Sequence, residues 1–220
     1  QREDRVPFSL EYRIDRREVT VAEYQTCVDA GACSSPHQGG RYRLRFEDGY
    51  LDYGKPGRSN YPVNAVSWFQ AAEYCGWAGK RLPTEAEWEK AARGPDGRRY
   101  PWGDEEPACD RAVMDDGGDG CGHESPWPVG AQPAGASPYG VLDMAGNVWE
   151  WVSDWYDHDY YKRSPASDPH NTEPGPTSQK VLRGGSLADQ NPQVLAASNR
   201  LGYNPAQGND YTIGFRCASD

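Results

Sequence analysis

The sequence predicts an α+β fold in which a few short helices and several short strands are set in much irregular chain. Three observations carry this. Gly (25) and Pro (18) make up about a fifth of the 220 residues, a content that favours turns over long elements. Three stretches open on a capping signature and close on a glycine, as short helices do. Elsewhere, brief runs of alternating or uninterrupted apolar residues read as strands.

Taken in order, residues 8–19 alternate loosely and predict a strand. Thr20 starts a helix, because Glu23 completes a capping box and Gly31 supplies the stop. Residues 34–62, rich in Gly, Pro and Tyr, predict a long loop with short strands. Ser67 with Gln70 opens a second helix, carrying Trp68, Ala71, Ala72 and Cys75 and ending near Gly79. Thr84 with Glu87 opens a third, carrying Ala86, Trp88, Ala91 and Ala92 and ending at Gly94. Residues 95–140 show no sustained period. Within them Asp115–Gly120 has the look of a calcium loop but lacks the glutamate an EF-hand needs at its twelfth position, so it reads as a solvated turn cluster. Residues 147–156 alternate as a half-buried strand, and 157–179 are loop. Residues 180–183 predict a strand, with Gly184-Gly185 a bulge or a close backbone approach. The polar stretch 187–212 is irregular, and a strand over 212–218 closes the chain. No internal repeat or linker divides it, so a single domain over 1–220 is expected.

A net charge of −10 with no block of Lys or Arg argues against a nucleic-acid partner. No stretch approaches the roughly 18 apolar residues of a membrane span. No signal peptide is visible, so either one was removed or the chain is an excised domain of a larger multidomain protein. Eight Trp and fourteen Tyr offset an apolar content of 36%, since each large ring buries much area. The six cysteines form no C-x-x-C pair and the four histidines are scattered, so a zinc site is poorly supported. Three disulfides in an oxidising compartment (periplasmic, secreted or cell-surface) are the better reading than free thiols.

Several long motifs, in order, carry a family resemblance over nearly the whole chain: 14–20 (IDRREVT), 62–68 (PVNAVSW), 77–88 (WAGKRLPTEAEW), 100–104 (YPWGD), 139–151 (YGVLDMAGNVWEW), 181–186 (VLRGGS) and 213–217 (IGFRC). Together they resemble the formylglycine-generating enzyme, or sulfatase-modifying factor, family. The resemblance implies a C-type-lectin-like fold with a mixed, mostly antiparallel sheet. The family's usual opening strand, with a Met-Gly pair, is missing from this sequence.

Catalytic members of that family bind Cu(I) through two cysteine thiolates and use dioxygen to oxidise a substrate cysteine. Soft thiolates suit a soft ion. Counted from Gly-Gly-Ser, the matching positions hold Asp189 and Val194, so no copper is expected. Trp149 and Ser186 match residues lining the oxygen pocket. The resemblance further implies a Cys75–Cys217 disulfide. Cys27–Cys33 would staple the end of the first helix, and Cys109–Cys121 would replace one family calcium clamp. A second, structural calcium is implied on the Asp143 side chain, the Gly146 and Val148 carbonyls and the Glu150 side chain. The competing reading is a turn in which Glu150 pairs with an arginine.

Two functions follow as expectations. The first is a non-catalytic recognition module that binds a protein, peptide or glycan through 187–212. Its contacts would come from Asp189, Gln190, Asn191, Asn199, Arg200, Tyr203, Asn209, Asp210 and Tyr211, beside Trp149 and Ser186, since Tyr and Asn make adaptable binding surfaces. A variable protein diversified by a retroelement is a sub-case. The alternative is an oxidoreductase-like enzyme of altered chemistry, with Asp189, Arg200 and Tyr203 as a small acid/base site.

Overall fold

A computed structural model describes residues 11–36, 51–118, 121, 125–208 and 210–220. Of the opening strand, residues 8–10 lie outside the described part, as does 37–50 of the long loop. What is described begins with β1 (Arg13–Ile14), α1 (Val21–Asp29), α2 (Trp68–Trp77) and α3 (Glu85–Arg93). Each helix starts where its sequence says. Thr20, Ser67 and Thr84 accept from the backbone N–H three residues on, and Glu23, Gln70 and Glu87 reach back to complete the box. Gly31, Gly79 and Gly94, all with positive φ, follow the last turns.

The second half supplies β2 (Trp149–Trp155), β3 (Lys180–Arg183), α4 (Pro192–Leu195), β4 (Leu201–Tyr203), β5 (Ile213–Phe215) and β6 (Ala218–Ser219). Four of these strands form one sheet in the order β4-β3-β2-β5, and β1 pairs with β6 in a second, two-stranded one. Among the described strands only β2 with β5 is parallel; the other pairs run antiparallel.

Three expectations are corrected. The strand at 147–156 is not half-buried: Trp149, Glu150, Trp151 and Val152 are all buried. Both faces of the sheet are covered, which removes the usual polar side. Trp149, Trp151, Leu182 and Phe215 pack towards Tyr24 of α1 and Tyr74 of α2. Val152 and Val181 pack towards Trp88, Ala91 and Ala92 of α3. The closing strand is not continuous either, because it breaks into β5 and β6 at Arg216, whose side chain is fully buried. Finally, 187–212 is not wholly irregular: it contains α4 and β4, and Leu195, Ala196 and Ala197 are buried. Gly184-Gly185 is the close approach foreseen. Both have positive φ, and a Cβ on Gly185 would lie 2.7 Å from Leu195 Cδ2.

Candidate functional site

Beyond the Gly184-Gly185 turn, Ser186 is buried. The Asp189 carboxylate turns back on it, accepting from the Ser186 N–H at 2.9 Å and its hydroxyl at 2.8 Å. Asp189 thus locks the turn. Val194 is partly buried and packs against the main core. All six cysteines are paired, as Cys27–Cys33, Cys75–Cys217 and Cys109–Cys121, and none is free. The residues at this position therefore do not fit a cuprous ion, since no soft donor is present.

The suggested acid/base set is not assembled, because each member has another partner. Arg200 makes a two-pronged ion pair with buried Glu85, at 2.6 and 2.7 Å, and lies over Tyr156 and Tyr161. The Tyr203 hydroxyl donates to Asp210 at 2.9 Å. Burial also removes Trp149 and Ser186 from any surface that a large ligand could reach. Asn191 is exposed and caps α4, accepting from the Gln193 N–H. Gln190 is exposed beside Gly117, while Asn199, Asp210 and Tyr211 are partly buried. Asn209 lies outside the described residues. The surface that 187–212 offers is therefore narrower than its composition suggested.

The implied calcium set meets a competing cation. Both Glu150 oxygens are taken: Arg216 donates to them at 2.7 and 2.6 Å, and the Trp88 indole donates at 2.8 Å. This is the arginine pairing that stood as the competing reading, and Glu150 does not fit as a calcium ligand. Asp143 accepts from the Gly130 N–H and lies beside Glu18, whose Oε1 accepts from the Asn147 amide at 2.9 Å. Glu18 is fully buried, and its Oε2 has no partner. Burial and the neighbouring Asp143 charge push its pKa well above the ordinary carboxylate range, against the pull of Arg216. Among the described residues no group of three or more His, Cys, Asp or Glu is gathered to hold a metal. In the turn cluster at 115–118, Asp115 and Asp116 accept from the N–H groups of Gly117 and Gly118; residues 119–120 lie outside the described part.

Sequence reasoning found no nucleophile–base pair, yet one is present. The Ser153 hydroxyl lies 3.1 Å from His170 Nε2. Asp154 and Lys180 sit next to it. Burial raises the Asp154 pKa to about 7 and lowers that of Lys180 to about 8. The Lys180 ammonium lies 4.1 Å from the ring centres of both Trp68 and Trp155 and donates to the Ser153 carbonyl at 2.6 Å. Nothing in the sequence signals this, because His170 comes from a loop seventeen residues on and belongs to no motif.

A family model described as the sulfatase-modifying factor enzyme 1-like domain matches residues 3–220. A formylglycine-generating enzyme of Streptomyces coelicolor is 45% identical over 183 residues, covering 74% of this chain and 54% of that protein. A serine/threonine-protein kinase, pkn1, of Chlamydia caviae is 39% identical over 223 residues, covering 96% of this chain and 33% of that protein. The chain thus spans about half, or less, of the length of these relatives. Among solved structures, PvdO from Pseudomonas aeruginosa superposes with a TM-score of 0.79 at 28% identity, over 97% of this chain and 82% of that one. Treponema denticola variable protein 1 shares the fold, with a TM-score of 0.67 at 24% identity over 94% of this chain and 84% of that one. The architecture is C-type-lectin-like.

Proposed function

The chain belongs to the sulfatase-modifying factor enzyme 1-like domain family, and from that premise we propose that it is a recognition module rather than a formylglycine generator. One observation carries the reading: the position of the family's thiolate pair holds Asp189, spent on the Ser186 turn, and Val194, packed in the core. The kinase relative supports a module within a larger protein, since the match is only a third of that protein. Its ligand is a protein, peptide or glycan, met by the exposed part of 187–212 around Gln190 and Asn191. Retroelement-driven variation of this segment would show as a near-identical template repeat beside the gene. Three disulfides support a periplasmic, secreted or cell-surface setting.

The test has two arms. Cu(I) titration against a competing chelator, with the disulfides intact, should show no binding, and a Cys-x-Pro-x-Arg peptide should not be oxidised. Tight one-to-one binding with turnover would establish formylglycine generation and overturn this reading; the alternative, an oxidoreductase-like enzyme of altered chemistry, draws its support from the relative at 45% identity. Peptide and glycan arrays should yield a ligand that is lost on Gln190→Ala/Asn191→Ala.

A structural calcium ion remains part of the proposal in altered form. With Glu150 tied to Arg216, calcium would have to displace that arginine to reach Glu150, leaving Asp143 and the Gly146 and Val148 carbonyls as its other oxygen donors. An ion far above its Kd adds about 3 kcal/mol of stability. The melting temperature should therefore drop on adding EGTA, and an unchanged value would remove calcium from the account.

A further inference from the structure

The pairing of β2 with β3 is irregular in one place. Trp151 faces Leu182 and Trp155 faces Lys180, so four steps along β2 (155 − 151) meet two along β3 (182 − 180). Such an irregularity re-aims the side chains within it. Here they are Val152, Ser153 and Asp154. Ser153 is partly exposed and His170 is exposed, so the pair opens to solvent.

His170 is held in place through its neighbour. The Asn171 N–H donates to Asp154 Oδ1 at 2.8 Å, and the Asn171 amide donates to the Trp155 carbonyl at 2.8 Å. In return the Trp155 N–H donates to the Asn171 carbonyl at 2.9 Å. Asp154 is itself anchored by the Glu85 N–H at 2.7 Å and accepts from the Ser153 hydroxyl at 3.3 Å. A hydroxyl within reach of an imidazole, on a loop clamped by a buried carboxylate, is the arrangement of an activated nucleophile.

We propose that Ser153 is a covalent modification site, a serine nucleophile deprotonated by His170 that takes one group from an activated carboxylic or phosphonic ester. To react, the hydroxyl turns its proton from Asp154 Oδ2, 3.3 Å away, to Nε2 of the neutral ring at 3.1 Å. As Oγ bonds to the electrophilic carbon or phosphorus, its proton passes to His170, the bond to the leaving group breaks, and the proton follows that group out. No redox partner is needed. The imidazole is kept free for this. Although one edge of the ring is exposed, its partial burial, with the charges of Lys180 on β3 and Arg81 ahead of α3, lowers its pKa below 6.5, against the opposing charge of Glu87 on α3. Asp154, on β2, faces it from below through Asn171.

The experiment is incubation of the intact chain with a fluorophosphonate, mapping the adduct by peptide mass spectrometry between pH 5 and 8. The expected result is one adduct per chain, on Ser153, forming with a rate that rises with pH to a midpoint below 6.5. His170→Asn should slow it at least tenfold, and Ser153→Ala should abolish it. An adduct elsewhere, none at all, or an undiminished rate in a folded His170→Asn variant would overturn the proposal. Should that variant not fold, the site and pH profile of the unaltered chain decide alone.

Discussion

Asp52 shows how much a single buried side chain can cost. It is fully buried, neither carboxylate oxygen has a hydrogen-bond partner among the described residues, and its nearest opposite charge there is Arg58 at 3.4 Å, with Lys55 farther off. Burial therefore raises its pKa to about 7 against the weaker pull of Arg58 and Lys55. The folded chain then holds a proton that the unfolded chain has already released. The contribution to stability is present below about pH 4 and is lost as pH rises through about 7. Asp52→Asn keeps the shape and removes the titration. Relative to the unaltered chain, the variant should gain on the order of 3 kcal/mol between pH 4 and 7.5. Thermal melts at both ends measure it. Parallel behaviour of the two proteins would mean that Asp52 is charged in the fold. Glu18 obeys the same logic, but Arg216 and Asp143 share its pocket.

At the scale of elements, what could be read from sequence was what is local. A capping box needs residues three apart, and α1, α2 and α3 start where Thr20, Ser67 and Thr84 place them. A glycine with positive φ is legible at Gly184-Gly185 for the same reason. The polar stretch 187–212 hid β4 because an edge strand is made by its partner: Leu201, Gly202 and Tyr203 are a strand through Leu182, Val181 and Lys180. The half-burial expected of β2 failed because period alone cannot report that α3 covers the second face. Site chemistry was least legible where partners are remote in sequence. Asp189 and Val194 were readable as missing thiolates by position. That Arg200 belongs to Glu85, Glu150 to Arg216 and His170 to Ser153 required the fold to bring them together.

For the whole molecule, the decisive link joins its two halves. Cys75 on α2 bonds to Cys217 after β5, across a sequence separation of 142. Nearby, β6 pairs with β1, so the end of the chain is tied to its first described strand. In the chain-entropy model, a bridge that closes so long a loop restricts the unfolded chain by about 5 kcal/mol. Cys27–Cys33, with a separation of 6, does so by only about 2 kcal/mol. The two bridges make a matched pair, because all four cysteines are buried in the same core cluster, so the packing lost on double replacement by alanine is of similar size. Urea unfolding of Cys75→Ala/Cys217→Ala and of Cys27→Ala/Cys33→Ala should therefore differ by roughly 2–3 kcal/mol, the long bridge costing more. Equal losses would show that these bridges act through native packing rather than loop closure. The Gly184–Asp189 turn and the β2–β3 pair would then owe their position to the aromatic core around Trp151 and Phe215, not to the covalent closure of the chain.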